Sequence, residues 1–458
     1  MDKTTISQLG LNKVQSMIKA KFSFPHGFLW GTSTSSHQVE GNNKNNNWWI
    51  WENEPGRIQN DDTSGTACDW WGGRWKEDLD RAAESGQNAH RLSIEWSRVQ
   101  PAPDRWDETA LDQYREIVRG LVDRKIFPVV ALHHFSDPIW MQENGGWESE
   151  SNVFLFVDYV KKVVGSLKEY VNMWITINEP NVLAANSYLY GLFPPGKSNL
   201  RSTYRVIQNI QKAHASAYHE IHTIQPGSRV GLAIHFRGFK PKNSWSPFDR
   251  LIVKLLNSSF NDLFPRTMNQ GYFKLPFNKQ QSNFLRSTQD FLAVDYFTRE
   301  FVSFNPLGYK TQFSRLSFSP SDELSDSKTI ANVPDFLFNA IKWGQQFGVP
   351  VIISGNGIDN QNDILRRKYL IQHIHQVWKA VNFNYPVKGY FHWSLVDNFE
   401  WNGGWTPRFG LWELDRKSQT RTKRLSADIY TEICKNNCIS SEMVTKYAPE
   451  IFSDLFPG

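Results

Sequence analysis

Short apolar runs recur along the chain at 28–34, 89–95, 127–133, 173–178, 230–235, 291–295, 349–354 and 387–394, and most end on a polar or aromatic residue. Their length and their β-branched and aromatic content predict strands. Between several of them, apolar residues return at helical spacing. Leu111, Tyr114, Val118 and Leu121 form one stripe, and Val153, Phe156, Val157, Val160, Val164 and Leu167 form another. Leu370, Ile374, Val377 and Val381 form a third. Strands alternating with amphipathic helices predict parallel βα units, and this many of them predict a closed α/β barrel of the (β/α)8, or TIM, type. A doubly wound sheet would show the same alternation. The barrel makes the sharper demand, because its chemistry gathers at the C-terminal ends of the strands. His133, His134, Asn178, Glu179, Asp295, Gly355 and Trp393 all stand at such ends. The connections after the first, fifth, sixth and eighth runs are long enough to wall a pocket, and 305–327, rich in Ser and Phe with weak periodicity, is expected as a loop over its mouth.

A chain of 458 residues would ordinarily suggest more than one domain. No linker divides this one, and barrels absorb long insertions. The expected organisation is an N-terminal extension, 1–20, followed by one barrel domain, 21–458. The extension is polar and charged, without the apolar segment of a signal peptide. No apolar run is long enough for a membrane span, so the expected location is cytoplasmic. The net charge of +5 comes from scattered Lys and Arg, a solvated surface rather than a nucleic-acid footprint. Cys68, Cys434 and Cys438 are too few and of the wrong parity for a disulfide framework. The nineteen tryptophans are a high share; the buried core is their default use, and sugar sites are a second, because indole stacks on the C–H faces of pyranoses. No oligomeric state follows from the sequence.

Thr176-Ile177-Asn178-Glu179-Pro180 places an amide beside a carboxylic acid at a strand end. That pair suits glycoside cleavage, where an acid protonates the leaving oxygen and an amide holds the sugar 2-hydroxyl. Alone, the same tripeptide also fits an ordinary helix start. His133 and His134 invite a metal reading, but adjacent strand residues face opposite ways and do not readily share an ion, so no metal is expected.

Longer motifs settle the choice by resemblance. Phe24-Pro25-His26-Gly27-Phe28-Leu29-Trp30-Gly31, Ser36-His37-Gln38-Val39-Glu40-Gly41, Arg91-Leu92-Ser93-Ile94-Glu95-Trp96-Ser97-Arg98 and Leu132-His133-His134-Phe135 occur in that order. Gly389-Tyr390-Phe391-His392-Trp393-Ser394-Leu395-Val396-Asp397-Asn398-Phe399-Glu400-Trp401 follows, and then Arg408-Phe409-Gly410. Together with the Asn-Glu-Pro segment they resemble family 1 glycoside hydrolases of the β-glucosidase and β-galactosidase type, over nearly the whole chain. The resemblance implies an O-glycosyl hydrolase acting on a small-molecule β-glycoside or oligosaccharide without cofactor. It implies Glu179 as acid/base and Arg91 beneath the nucleophile. Gln38, His134, Asn178, Glu400 and Trp401 would hold the sugar hydroxyls, and Trp393 would be the stacking floor. Trp401 with Thr406-Pro407-Arg408 replaces the set that family members use for 6-phosphorylated sugars, which implies an unphosphorylated glucoside, galactoside or fucoside.

The pattern breaks at Val351-Ile352-Ile353-Ser354-Gly355-Asn356-Gly357. It resembles the strand end that carries the family's nucleophilic glutamate, and Gly355 stands in that position. Ser354 is expected to point to the opposite face. In Phe291-Leu292-Ala293-Val294-Asp295-Tyr296-Phe297-Thr298, Asp295 replaces the family's Asn, and Phe297 replaces the Tyr that bonds the nucleophile. Joint loss of carboxylate and donor reads as drift of one local unit rather than a single engineered change. The expectation is a glycosidase scaffold with strongly impaired hydrolysis. The alternatives are an altered catalyst (inverting hydrolase or transglycosylase) with Asp295 as base, and a non-catalytic sugar-binding protein.

Overall fold

The computed structural model describes residues 19–274, 279–308 and 311–457. Most of the expected N-terminal extension, 1–18, lies outside them. Eight parallel strands close a barrel: β1 (Leu29–Ser33), β2 (Ala89–Ser93), β3 (Phe127–Ala131), β4 (Met173–Asn178), β5 (Arg229–His235), β6 (Phe291–Asp295), β7 (Val351–Asn356) and β8 (Val387–His392). Neighbours in sequence are neighbours in the barrel, and β8 pairs with β1. The connections run through α1 (Trp75–Glu84), α2 (Glu108–Asp123), α3 (Ser151–Leu167), α4 (Leu200–Ile224), α5 (Pro247–Leu256), α6 (Leu263–Gln270), α7 (Asp335–Gln345) and α8 (Ile364–Asn382); α9 (Leu425–Asn436) follows β8. The fold is therefore the single-domain (β/α)8 barrel that the alternation predicts.

Two cores hold it. Inside the barrel, small and medium residues fill the tapering space: Ala89, Val129, Met173, Ile175, Ala293 and Ile352 among them, with Phe391 reaching across. The ring of Phe391 lies where a side chain at position 31 would begin, 2.7 Å from the Cβ that Gly31 lacks. Outside, alternate strand residues such as Trp174, Val230 and Ile353 meet the helix stripes. Leu111, Tyr114, Val118 and Leu121 on α2 are all buried, as are Leu370, Ile374 and Val377 on α8. Helix starts carry local caps: Asp107 accepts from the Ala110 amide before α2, and Ser246 accepts from the Asp249 amide before α5.

The segment expected as a loop over the mouth is partly sheet. Arg299–Phe304 pairs antiparallel with Ser314–Ser317 and parallel with Gly238–Pro241. The alternation there is masked by Phe and Ser on both faces, because one side of this sheet packs on α5 and the other stays at the surface.

Candidate active site

A cavity of about 410 Å³ opens at the C-terminal ends of the strands. Arg91, His134, Asn178, Glu179, Asp295, Gly355, Trp393, Glu400 and Trp401 all line it. Gln38 does not; it is fully buried behind the wall, where its amide donates to the Phe399 carbonyl at 2.8 Å and its Oε1 accepts from the Ser35 hydroxyl at 2.6 Å.

The floor is built around Arg91, which rises from β2 and is almost wholly buried. Its guanidinium donates to both oxygens of Asp295 at 3.4 Å, to the Ser354 carbonyl at 3.1 Å and to Asn178 Oδ1. Asn178 Nδ2 in turn meets His134 Nε2 at 3.0 Å. Burial holds His134 well below the ordinary imidazole range, and the nearby Arg91 and His133 push it the same way. The ring is therefore neutral at physiological pH and available to a hydroxyl. His133, on the opposite side of the strand end, bonds Asp137 at 2.8 Å instead. Among the described residues no group of three or more His, Cys, Asp or Glu is arranged to hold a metal ion.

Glu179 follows β4 in a left-handed backbone conformation, φ 42° and ψ 56°, with Pro180 opening the next helical turn. Such a conformation is costly for a side-chain-bearing residue and is characteristic of sites where geometry is held by the surroundings. Here the Glu179 amide donates to the Ala233 carbonyl on β5 at 2.8 Å. Sequence reasoning missed its partner, His235 at the end of β5, whose Nδ1 lies 3.3 Å from Glu179 Oε1. The ring of His235 stacks on Phe297 at 5.6 Å. The end of the β5 run pointed to this histidine, but nothing in the sequence paired it with Glu179.

Position 355 is closely enclosed by Asp295. Asp295 pairs with Gly355 across β6 and β7, where the register shifts on both sides of the strand end. The shift turns Ser354 away from strict alternation. Contrary to the expected outward direction, its hydroxyl donates to Asp295 Oδ1 at 2.5 Å. A Cβ built on Gly355 would lie 2.8 Å from that same oxygen. Asp295 and Glu179 are neighbours that shift each other's titration. Burial raises the Asp295 carboxyl to about 6, with Glu179 adding to the rise and Arg91 opposing it. Burial pushes Glu179 up as well, but His235 and the bond to Asp295 outweigh it, and the net direction is down. Of these two neighbouring carboxyls Asp295 is the one that keeps its proton to higher pH.

The opposite wall is aromatic. Trp393 donates its indole N–H to Glu400 Oε1 at 2.8 Å. Trp401 lies parallel to His134 at 5.8 Å and to His37 at 5.7 Å. Burial raises Glu400 to about 8, partly offset by the Trp393 bond, so a carboxylic acid able to donate as well as accept faces the cavity.

One cavity at the C-terminal strand ends of a (β/α)8 barrel, lined by buried carboxyls, an arginine and two indoles, is where barrel enzymes carry their chemistry. The chain belongs to glycosyl hydrolase family 1, whose profile matches residues 20–439. It is 30% identical to the "Beta-glucosidase A" of Thermotoga maritima, over 90% of this chain and 98% of that one. To the human "Cytosolic beta-glucosidase" it is 28% identical, over 92% of this chain and the full length of the relative. Among solved structures it resembles the β-glycosidase from Pyrococcus horikoshii, with a TM-score of 0.86, 34% identity and coverage of 93% and 98% of the two chains.

Proposed function

We propose that the protein binds unphosphorylated β-glucosides or β-galactosides in this cavity and that its ordinary hydrolysis is strongly impaired. The carrying observation is the contrast between a complete sugar-facing wall and a strand end, at Gly355, with no side chain. His134, Asn178, Glu400 and Trp401 hold the hydroxyls of the non-reducing sugar, Trp393 stacks beneath it, and Gln38 braces the Phe399–Glu400 segment from behind through its bond to the Phe399 carbonyl. Glu179 is the acid/base and Arg91 the base of the nucleophile position. In retaining enzymes a second carboxylate about 5–5.5 Å from the acid attacks the anomeric carbon. Gly355 cannot attack, and loss of a nucleophile costs on the order of 10⁶-fold in turnover. The Ser354 hydroxyl donates to an Asp295 carboxyl that Arg91 also holds, which makes that carboxyl a weak base, and a hydroxyl so placed is a poor substitute. Trp401 and Thr406-Pro407-Arg408 support an unphosphorylated sugar. The printed names of the relatives support β-glucoside and β-galactoside specificity, and the human relative's name supports a cytoplasmic location.

The position of Asp295 favours one second reading, an altered catalyst that uses its carboxyl. It stands beside the vacant position, with its carboxyl raised to about 6 by burial.

The test pairs binding with turnover. Calorimetric titration with castanospermine, the ligand in one Thermotoga maritima β-glucosidase structure, should show a single site. Nitrophenyl β-glucoside turnover should be at least about 10⁴-fold below that of the Thermotoga enzyme in parallel. Comparable turnover, or no binding of any monosaccharide ligand, would overturn the proposal.

A further inference from the structure

The cavity has an apolar limb. Beyond the sugar-facing wall it is lined by Leu189, Ile207, Leu256, Phe260, Leu263 and Leu316. Leu256 ends α5, and Leu316 belongs to the antiparallel pair that includes Arg299–Phe304. The inner sides of these two elements thus wall the limb, with Ser259 Oγ donating to Gln312 Oε1 at 2.9 Å across the gap between them.

Their outer sides are also apolar, and they face solvent. On and just before α5, Trp245 is 80% exposed, Leu251 60% and Phe248 59%, and Leu255 is exposed as well. Phe248, Leu251 and Leu255 repeat at helical spacing and make one outward stripe. Across from it, Phe304 stacks on Phe248 at 5.3 Å, and Leu307, 89% exposed, stands at the turn beyond. The buried Asp249 carboxylate ties the two elements together by accepting from the Phe304 amide at 2.9 Å and the Asn243 amide at 3.1 Å. The patch is therefore a built surface rather than a loose tip. Isolated surface apolar residues are ordinary, but a contiguous group of large ones marks a contact site.

Charge identifies the occupant. Lys240, Lys242, Arg250, Lys254 and Arg315 are exposed in the same two segments, 238–256 and 299–319. The only carboxylates there are Asp249, which is buried, and Glu300, which is buried and paired with Arg237. Exposed Trp, Phe and Leu ringed by cations, without exposed carboxylates, match the interface of an anionic lipid bilayer.

We propose that α5 and the Arg299–Phe304/Ser314–Ser317 pair dock the protein on anionic membrane surfaces. Trp245, Leu251 and Leu307 enter the headgroup boundary, and the cations meet lipid phosphates and carboxylates. The docking does not rest on the proposed sugar-binding function, and it is read without any substrate.

The experiment is flotation of the full chain with phosphatidylcholine vesicles, with and without 30% phosphatidylserine (a chosen composition of roughly this order). Three proteins are compared: the parent, Trp245→Ser/Leu251→Ser/Leu307→Ser, and Lys242→Glu/Lys254→Glu. The parent should float with phosphatidylserine vesicles and release at high salt. Each variant should lower the partition coefficient by at least about tenfold. The charge variant keeps the test decisive if the apolar variant folds poorly. Absence of parent binding, or binding unchanged in both variants, overturns the proposal. So does concentration-dependent self-association abolished by the apolar variant without vesicle binding, which would make the patch an interface between copies.

Discussion

Restoring a glutamate at position 355 should not by itself restore a glycosidase. A Cβ there meets Asp295 Oδ1 at 2.8 Å and Cγ at 3.0 Å. The steric part is modest, because the contact is with the end of a side chain that can rotate once released by Ser354 and Arg91. The electrostatic part is larger. A new carboxylate about 4 Å from Asp295 costs about 4 kcal/mol at an effective dielectric constant of about 20. That corresponds to a factor of roughly 10³ in the population with both groups ionised. Gly355→Glu therefore takes up a proton or displaces Asp295, and either outcome removes the nucleophile. Changing Asp295→Asn as well removes the like charge and leaves Arg91 free for the new carboxylate. The assay is kcat/KM for nitrophenyl β-glucoside across Gly355→Glu, Asp295→Asn and the double variant. The double variant should exceed Gly355→Glu by about 10³-fold, with Asp295→Asn alone near the parent. Equal activity of Gly355→Glu and the double variant would refute the charge argument. Loss of a native turnover in Asp295→Asn would show instead that Asp295 carries the chemistry.

Rescue by azide should depend on pH with a definite sign. Asp295, with its carboxyl raised to about 6 by burial, is neutral below that value and repels an anion above it, so rescue falls as pH rises through about 6, and Asp295→Asn flattens the profile. The same shift links to stability: the native state holds this proton where the unfolded chain has released it, so the contribution is present at low pH and lost as pH rises from about 4 through 6, which denaturant titrations of parent and Asp295→Asn would show. Glu400→Gln, which keeps the shape but exchanges the carboxyl for an amide, should weaken monosaccharide binding by about 0.5–1.5 kcal/mol in calorimetry; an unchanged Kd would remove Glu400 from the sugar site. Asp397→Ala strips the buried Arg424 of bonds at 2.8 and 2.9 Å and should cost about 3–5 kcal/mol of unfolding free energy, measured by chemical denaturation.

Much of this molecule was legible in its residues, for specific reasons. The barrel strands start and stop within a few residues of their apolar runs, because strands buried on both sides leave continuous hydrophobic stretches. Asn178 and Glu179, Trp393 and Glu400 lie in contiguous motifs, so their convergence on one cavity followed once the barrel was drawn. What stayed hidden depends on backbone irregularity or on contacts between distant strands. Ser354 reaches Asp295 because the register shifts at the end of β7, and a strict alternation rule predicts the opposite face. His235 beside Glu179, and Asp295 against Glu179, join strand ends far apart in sequence. The sheet formed by Arg299–Phe304 and Ser314–Ser317 escaped because its exposed apolar face erases the polar alternation that marks a half-buried strand.

The central claim is a sugar site complete except for the attacking group, and azide tests it most directly. Nitrophenyl β-glucoside is incubated with the protein with and without azide, and the sugar product is identified by NMR. The account predicts turnover that requires azide and yields the α-glycosyl azide, the anion entering the space at Gly355 while Glu179 serves the opposite face. Turnover that ignores azide and releases free glucose at a rate ordinary for the family would contradict it, and would mean that another group of this cavity attacks the anomeric carbon.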